Sequence, residues 1–256
     1  GNLIYDAKLL ISVDGTALND TVYDAEANLY RANYTIKTAG EKVVGMTYPL
    51  TENLTINIGI LDVPKANATL LVTVEDILFG ENATVIVELY GVNNTGLNET
   101  VFVFVNNTRY TVTTVNGLAE LNVTGLAIGQ YSAVAQMPEI ADYNEAINST
   151  IFSVKADTIL TINVDDIVYG LDAIVDITLT DVAGNNLTDV VVTVTINGKT
   201  YPITVVNGKG STSVADLAAG DNYNASAVFE GTVLYNNATA NDLFNVLKNT
   251  PEINVY

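Results

Sequence analysis

Apolar and polar residues alternate along most of this chain, and β-branched residues fill many of the apolar positions. No window of helical length carries a sustained apolar stripe at i, i+3 and i+4, so the pattern predicts strands rather than helices. In the last part of the chain the alternation predicts the strands 158–164, 173–180, 190–196, 200–206, 210–214, 222–229 and 240–247.

Tight turns separate several of these predicted strands. Asn197-Gly198 and Asn207-Gly208 are the residue pair that a type I′ hairpin turn requires, because both of its central residues adopt positive φ. Seven short antiparallel strands joined by such turns, in about 90 residues, fit a β-sandwich of the immunoglobulin type. We therefore predict an all-β fold.

The same pattern occurs twice. Residues 110–117 return as 201–208, and residues 74–80 return as 164–170. An offset of about 90 positions is the size of a small domain rather than of a solenoid turn. We expect tandem immunoglobulin-like antiparallel β-sandwich modules arranged end to end. Tandem copies of one module usually extend a protein or repeat a binding surface, and they seldom form an enzyme.

The repeat also predicts where the modules begin and end. We expect a partial or shortened immunoglobulin-like module at 1-65, complete modules at 66-155 and 156-248, and a further first strand or donor strand at 249-256. In the first of these, Asp14-Gly15 marks a hairpin and Leu29…Tyr34 has the spacing of Leu126…Tyr131, but the first two strands have no counterpart.

A tyrosine stands at one matching point of both complete repeats. In Leu126, Gly129 and Tyr131 the spacing places Tyr131 at the entry to the sixth strand, and Tyr223 takes that place in the next copy. A tyrosine at this corner can donate its hydroxyl to the backbone across the sheet edge. We expect both to be structural.

Composition excludes several kinds of site. The chain has no cysteine and no histidine, which excludes disulfides, Cys–His and Ser–His–Asp catalysis, and the usual zinc sites. Its 29 acidic and 10 basic residues give a formal charge of −19. A surface of that sign repels nucleic acid and attracts divalent cations.

Neither a membrane segment nor an export signal is visible. The sequence has no apolar run of about 18 residues and no charged-then-apolar N-terminal segment. We expect any anchor or signal of the parent protein to lie outside this sequence.

Asn-X-Ser/Thr sequons are frequent, and about five would arise by chance in a chain this rich in Asn and Thr. There are thirteen, at Asn19, Asn33, Asn53, Asn67, Asn82, Asn93, Asn98, Asn106, Asn122, Asn148, Asn186, Asn224 and Asn237. Two interpretations stay open: N-glycosylation of an exported protein, or Asn and Thr that fill turns and solvent-facing strand positions. Both favour an extracellular chain.

The opening string Asp-Ile-Val-Tyr-Gly-Leu-Asp-Ala at 166–173 and the string Asn-Gly-Lys-Thr-Tyr-Pro…Val-Asn-Gly-Lys-Gly at 197–210 resemble the bacterial-type immunoglobulin-like repeats of methanogen adhesin-like surface proteins. The resemblance covers both complete repeats and, more weakly, residues 1–65. It implies a large exported archaeal cell-surface protein whose repeats form a stalk, with some modules proposed to bind host, protozoal or bacterial partners. It brings no catalytic residue to this chain.

Acidic residues recur near the start of each complete module. Calcium takes six to eight oxygen ligands, and carboxylates near a module junction could supply them. The candidate calcium ligands are Asp76, Asp166, Glu75 and Asp165, with Glu81 and Asp172 nearby. The alternative is a solvated strand end in an acidic protein, since no alternating Asp-x-Asp-x-Asp spacing is present.

Three other kinds of site have weaker support. The segment Asp181 to Asp189 could wrap a cation, but Gly184-Asn185 is an ordinary turn signal, which we favour. Isopeptide crosslinking requires a lysine within a strand core, whereas Lys65, Lys155 and Lys248 fall at module junctions. Glycoside hydrolysis requires two acids across one cleft, and no cleft signature is present.

Two functions remain, and neither is enzymatic. The first is an extracellular cell-surface stalk and adhesion module of a large repeat protein, which binds a cell-surface protein or glycan of another cell. The second is a structural subunit of an extracellular filament, in which copies of the chain assemble by strand complementation with 252–256 as donor. We expect recognition to lie in loops such as 136–146 and 180–189.

Overall fold

The structure is a computed structural model, and it describes residues 9–48 and 54–249. In these residues the chain is all-β: it contains no α-helix, and its single helical element is the short 3₁₀ turn Val92–Asn94. No helix of the described chain is long and apolar enough to cross a membrane. The strands form tandem immunoglobulin-like sandwich modules, which confirms the predicted fold class.

The first module comprises the strands β1 (Leu10–Val13), β2 (Thr16–Ala17), β3 (Val22–Asp24), β4 (Leu29–Arg31), β5 (Gly40–Tyr48) and β6 (Leu54–Val63). Four of them form an antiparallel sheet in the order β2-β1-β5-β6, and β3 and β4 form a separate hairpin. The turn between β1 and β2 is the predicted one, because Asp14 and Gly15 both have positive φ.

The second module comprises β7 (Thr69–Thr73), β8 (Ile77–Leu78), β9 (Ala83–Tyr90), β10 (Thr100–Val105), β11 (Thr108–Thr113), β12 (Leu118–Val123), β13 (Gly129–Met137) and β14 (Ala146–Lys155). Its sheets have the orders β11-β10-β13-β14-β8 and β12-β9-β7.

The third module repeats this architecture with β15 (Thr158–Val164), β16 (Ile167–Val168), β17 (Ala173–Asp181), β18 (Val190–Ile196), β19 (Lys199–Val205), β20 (Lys209–Val214), β21 (Gly220–Phe229) and β22 (Ala238–Leu247). The orders are β16-β22-β21-β18-β19 and β15-β17-β20. The predicted turns Asn197-Gly198 and Asn207-Gly208 are confirmed by positive φ at all four residues.

Alternating burial explains why these segments are strands. Along β17, Ala173, Val175, Ile177 and Leu179 are at most 2% exposed, while the intervening residues face outward. The inward side chains meet those of β18 and β21 in one apolar core. Each fully buried Val, Leu or Ile contributes about 1.5–3 kcal/mol relative to an exposed side chain.

The sequence pattern missed one strand in each complete module. β8 and β16 are two residues long, and they pair in parallel with the ends of β14 and β22: Ile77 lies opposite Val154, and Ile167 lies opposite Val246. The opening segment of a module therefore crosses from the three-stranded to the five-stranded sheet.

Within residues 9–48 and 54–63, the first module has no counterpart of β7, β8 and β9, and the partial module at 1-65 stays a prediction. One predicted correspondence is wrong. Tyr34 lies outside any strand and is 41% exposed, whereas β5, which begins at Gly40, takes the place of β13. On β6, Ile56 and Leu61 are 57% and 43% exposed.

The described chain divides into two compact units, and their limits differ from the predicted module boundaries. One unit contains 1–73, 86–120 and 134–149, and the other contains 74–85, 121–133 and 150–256. The boundaries at 65, 155 and 248 therefore stay a prediction.

Candidate functional site

Both corner tyrosines have the predicted structural role. The Tyr131 hydroxyl donates to the Ala127 carbonyl oxygen at 2.9 Å, and the Tyr223 hydroxyl donates to the Ala218 carbonyl oxygen at 3.0 Å. Each ring stacks on a buried phenylalanine of the last strand, with centroids 5.7 Å apart for Phe152 and 5.5 Å for Phe244. These tyrosines fix the corner between a loop and the sheet.

Asp76 binds the last strand of its own module. Its Oδ1 accepts the Ser153 backbone N–H at 2.7 Å, and its Oδ2 lies 2.7 Å from the Lys155 Nζ. The Lys155 ammonium, followed by the Ser153 N–H, holds the pKa of Asp76 below its ordinary value, because both donate to the charged form. This carboxylate anchors the turn before β8 to β14.

Asp166 makes the corresponding anchor in the third module. Its Oδ1 accepts the Asn245 backbone N–H at 2.6 Å, and the Asn245 side-chain amide lies 3.2 and 3.1 Å from its two carboxylate oxygens. The Asn245 amide first, and its backbone N–H second, lower the pKa of Asp166. In both modules the aspartate therefore accepts a backbone N–H of the last strand, but its side-chain partner is Lys155 in the second module and Asn245 in the third.

The remaining calcium candidates are exposed. Glu75 and Asp165 each precede the anchoring aspartate and point to solvent, whereas Glu81 Oε2 accepts the Leu78 N–H at 2.9 Å. Within the described chain no group of three or more acidic side chains converges on a site for a metal ion. The assignment of calcium to Asp76, Asp166, Glu75 and Asp165 stays a prediction.

The segment after β17 folds as the turn that we favoured. Asp181 is buried, and its Oδ1 and Oδ2 accept the backbone N–H and the side-chain amide of Asn185 at 2.8 and 2.9 Å. The Gly184 N–H donates to the Asp181 carbonyl oxygen at 3.0 Å. Both carboxylate oxygens of Asp181 are therefore occupied within the turn.

The junction lysines lie near the surface. Lys65 pairs with Glu139 at 2.5 Å and Lys155 pairs with Asp76, while Lys248 is exposed. The buried lysine of the described chain is Lys42, which is 8% exposed. None of the three junction lysines has the strand-core position that an isopeptide bond needs.

A second repeated feature fixes the entry of each complete module. The Ala66 N–H donates to the Asp142 carbonyl oxygen, and the Asn144 N–H donates to the Ala66 carbonyl oxygen, both at 2.9 Å. In the third module Ala156 makes the same two bonds, to Leu234 and Asn236, also at 2.9 Å. The sequence pattern did not predict this entry clip, because its partners are far apart along the chain.

The outer face of the second module differs from that of the third. Phe102 and Phe104 alternate with fully buried valines on β10, and Phe104 lies opposite Arg109 on β11. The Arg109 guanidinium carbon lies 4.7 Å from the centroid of the Phe102 ring. We call these three residues the aromatic face.

The matching positions of the third module are threonines. Thr193 and Thr195 alternate with buried residues on β18, and Thr195 lies opposite Thr200 on β19. Threonine is usual on the solvent face of a strand, whereas two neighbouring phenylalanines are not. The aromatic face was missed because alternating Phe and Val predict a strand but not which side of it is covered.

No family model and no curated protein matches the chain. Among solved structures, it is similar to a Ca²⁺-stabilised adhesin with which an Antarctic bacterium reaches out and binds ice, at 19% identity and a TM-score of 0.32, with 94% of this chain and 65% of that chain covered. It is also similar to Sidekick-1 immunoglobulin domains 1–4, at 12% identity and a TM-score of 0.45 over 94% and 67% of the two chains.

A third similar structure is the Yersinia pseudotuberculosis adhesin InvE, at 17% identity and a TM-score of 0.33 over 70% and 59% of the two chains. The chain spans less than two thirds of the length of the two adhesins. The fold assignment rests on the strand orders of the second and third modules.

Proposed function

We propose that this chain is a non-enzymatic stalk and adhesion segment of a large extracellular cell-surface protein. Its partner is a protein or glycan on the surface of another cell. The modules supply a repeated scaffold, and the aromatic face of the second module supplies the contact.

One observation supports this proposal above the others: the scaffold is repeated while the outer face is not. The corner tyrosine, the aspartate anchor and the entry clip occur in both complete modules, and their backbone partners lie at matching positions. The aromatic face occurs in the second module, and threonines replace it in the third. If one module of an array binds a partner, its surface must differ from that of the other modules. Aromatic residues and arginine are the residue types that are enriched in protein interfaces.

A binding assay tests the proposal. Beads that carry the full chain are incubated with a panel of bacterial, protozoal and animal cells and with a glycan array. The variant Phe102→Thr/Phe104→Thr/Arg109→Thr gives the second module the outer face of the third. We expect the wild type to bind a subset of these surfaces and the variant to lose that binding.

The matched control substitutes the equivalent positions of the third module. Thr193→Ser/Thr195→Ser alters the equivalent face of the third module and should bind as the wild type does. Hydrogen exchange of β10 and β18 checks that each variant is folded. Wild-type binding by the triple variant would place the contact elsewhere, and a wild type that binds no surface of the panel would count against adhesion.

A second candidate function is a filament subunit, and the first module favours it. β6 has one neighbour in the described part of its sheet, whereas β14 and β22 each have a second neighbour in β8 and β16. Ile11, Met46 and Ile56 lie opposite one another and share one face of the sheet, where Ile56 is 57% exposed. An open edge beside an apolar face is a place for strand addition.

The proposed donor, 252–256, lies outside the described residues. Its apolar positions are Ile253 and Val255, which alternate as an added strand requires. Sedimentation of the chain with and without residues 251–256 tests the role. Assembly that depends on this segment would support a filament, and a wild type that sediments as a monomer at all concentrations would contradict it.

A further inference from the structure

Of the thirteen sequons, Asn53 lies outside the described residues, and the other twelve differ in whether a transferase can reach them. Glycan transfer forms a bond between Asn Nδ2 and the anomeric carbon of a lipid-pyrophosphate-linked sugar. The bond from that carbon to the phosphate oxygen breaks, the pyrophosphate keeps the electron pair, and Nδ2 loses a proton. The acceptor amide must therefore be exposed, and the sequon hydroxyl must be free to be recognised.

Five sequons of the second module have an exposed asparagine and a sequon hydroxyl with no described hydrogen bond. In three of them, Asn67, Asn98 and Asn122, the side-chain oxygen accepts a hydrogen bond, from Asn144, Asn116 and Thr84 respectively. The side chains of the other two, Asn93 and Asn106, are free in the described chain.

Asn93 and Asn94 form a turn after β9, with φ of 58° at both residues, and Asn93 is exposed. Asn106 and Asn107 are the central residues of the hairpin between β10 and β11, with φ of 49° and 60°, and are exposed. The structure describes no hydrogen bond from the side chains of Asn93 and Asn106 or from the hydroxyls of Thr95 and Thr108.

Asn148 is unsuited to modification in the folded chain. It is half-buried on β14, and its Oδ1 accepts the Val72 backbone N–H at 3.2 Å. Before this sequon could enter a transferase active site, the middle of β14 would have to leave the sheet and break that contact. The sequon is therefore a structural asparagine.

Asn186 is unsuited for a second reason. Its Nδ2, the atom that would carry the glycan, donates to Asn207 Oδ1 at 3.1 Å. Its side chain also covers Gly208, where an added Cβ would lie 2.6 Å from the Asn186 Oδ1.

Two further sequons have their hydroxyl engaged. Thr21 Oγ1 donates to the Leu18 carbonyl oxygen at 2.6 Å, and Thr84 Oγ1 donates to Asn122 Oδ1 at 3.0 Å. The sequons of Asn19 and Asn82 thus require local opening before recognition.

From these contacts we propose that Asn93 and Asn106 are the N-glycan acceptors of the folded second module, and that Asn148 and Asn186 are structural and stay unmodified. The proposal requires export of the chain, and it is independent of whether the aromatic face binds a partner. Loop tips on a rigid sheet are the usual positions for modification, because the backbone there can enter another active site.

The test compares the folded chain with short peptides. Folded protein and peptides around each of the four sequons are incubated with a sequon-dependent oligosaccharyltransferase and its lipid-linked oligosaccharide, and occupancy is read by mass spectrometry. We expect all four peptides to be modified, and the folded chain to be modified at Asn93 and Asn106. Asn93→Gln and Asn106→Gln should each remove one glycan.

A second variant tests the physical reason. Asn207→Gly keeps the positive φ of the turn and removes the oxygen that binds the Asn186 amide. Asn186 should then gain a glycan while Asn148 stays unmodified. Modification of Asn148 or Asn186 in the folded wild type at the rate of their peptides would overturn the proposal, as would unmodified Asn93 and Asn106.

Discussion

Lys42 occupies in β5 the position that Tyr223 occupies in β21. Lys42 lies opposite Leu61, two residues before the end of β6, and Tyr223 lies opposite Phe244, three residues before the end of β22. Both side chains reach back to the preceding loop: Lys42 Nζ donates to the Thr38 hydroxyl at 2.8 Å and to the Ala39 carbonyl oxygen at 3.2 Å. A buried ammonium thus replaces the phenol at the corner of the first module.

Removal of these corner bonds should loosen each module separately. Lys42→Met keeps most of the side-chain length and loses hydrogen bonds to a charged donor, which contribute about 1.5–3 kcal/mol, whereas Tyr223→Phe loses a neutral bond of about 1 kcal/mol. We expect faster hydrogen exchange in β5 and β6 for the first variant and in β21 and β22 for the second. Exchange that rises uniformly over the chain would contradict a local role.

Two glycines of the third module should respond differently to alanine. Gly198 and Gly208 have φ of 74° and 75°, so Ala at either position costs about 1–2 kcal/mol of backbone strain. Nothing lies within 4 Å of an added Cβ at Gly198, but at Gly208 it would meet Asn186. Gly208→Ala should therefore lower the free energy of unfolding more than Gly198→Ala does. If both variants lose the same free energy of unfolding in urea titrations, the Asn186 side chain moves aside without cost.

The aspartate anchors predict a pH dependence. The pKa of Asp166 in the folded chain lies below its unfolded value of about 3.9, so its stabilising effect is present above that pH and is lost as the pH falls through the folded pKa. Asp166→Asn should destabilise the chain at neutral pH, and the difference from the wild type should shrink in acid. Asp165→Asn, at the exposed neighbouring carboxylate, is the control and should change little at either pH.

Calcium can be separated from the anchoring role. A bound ion would stabilise the chain by RT ln(1 + [L]/Kd), about 2.7 kcal/mol at 100 times Kd. From the hydrogen bonds alone, Asp76→Ala and Asp166→Ala should lower the melting temperature equally with calcium and with chelator. A larger loss in calcium, together with a wild-type melting temperature that falls on chelation, would establish the ion.

The alternation of residues was enough to predict the long strands and their turns. Val192, Val194 and Ile196 alternate with threonines, and Asn-Gly pairs end two of the strands, so each local signal agrees with the fold. β16 escaped prediction because two residues carry no period. Its existence depends on β22, which lies far along the chain and supplies the backbone partner.

The role of the candidate site residues also depends on contacts between distant parts of the chain, which the sequence alone does not reveal. Repetition drew attention to Asp76 and Asp166, but their partners lie 77 and 79 residues away, so the sequence could not distinguish an anchor from a metal ligand. Phe102 and Phe104 were visible only as strand residues. Both are half-buried, and how much of each ring solvent reaches depends on what covers the sheet, which is a tertiary property.

The parallel pairing of β16 with β22 determines how a module carries tension. When the chain is pulled at both ends, β16 is drawn toward the N-terminus and β22 toward the C-terminus, so these parallel strands slide past each other along their length. The bonds between Ile167–Val168 and the end of β22, the Tyr169 N–H to the Leu247 carbonyl oxygen at 2.8 Å, and the Asp166 anchor are then loaded together rather than one after another. Shared loading is mechanically stronger than successive peeling, and a surface stalk held at one end and attached at the other would be under this kind of load.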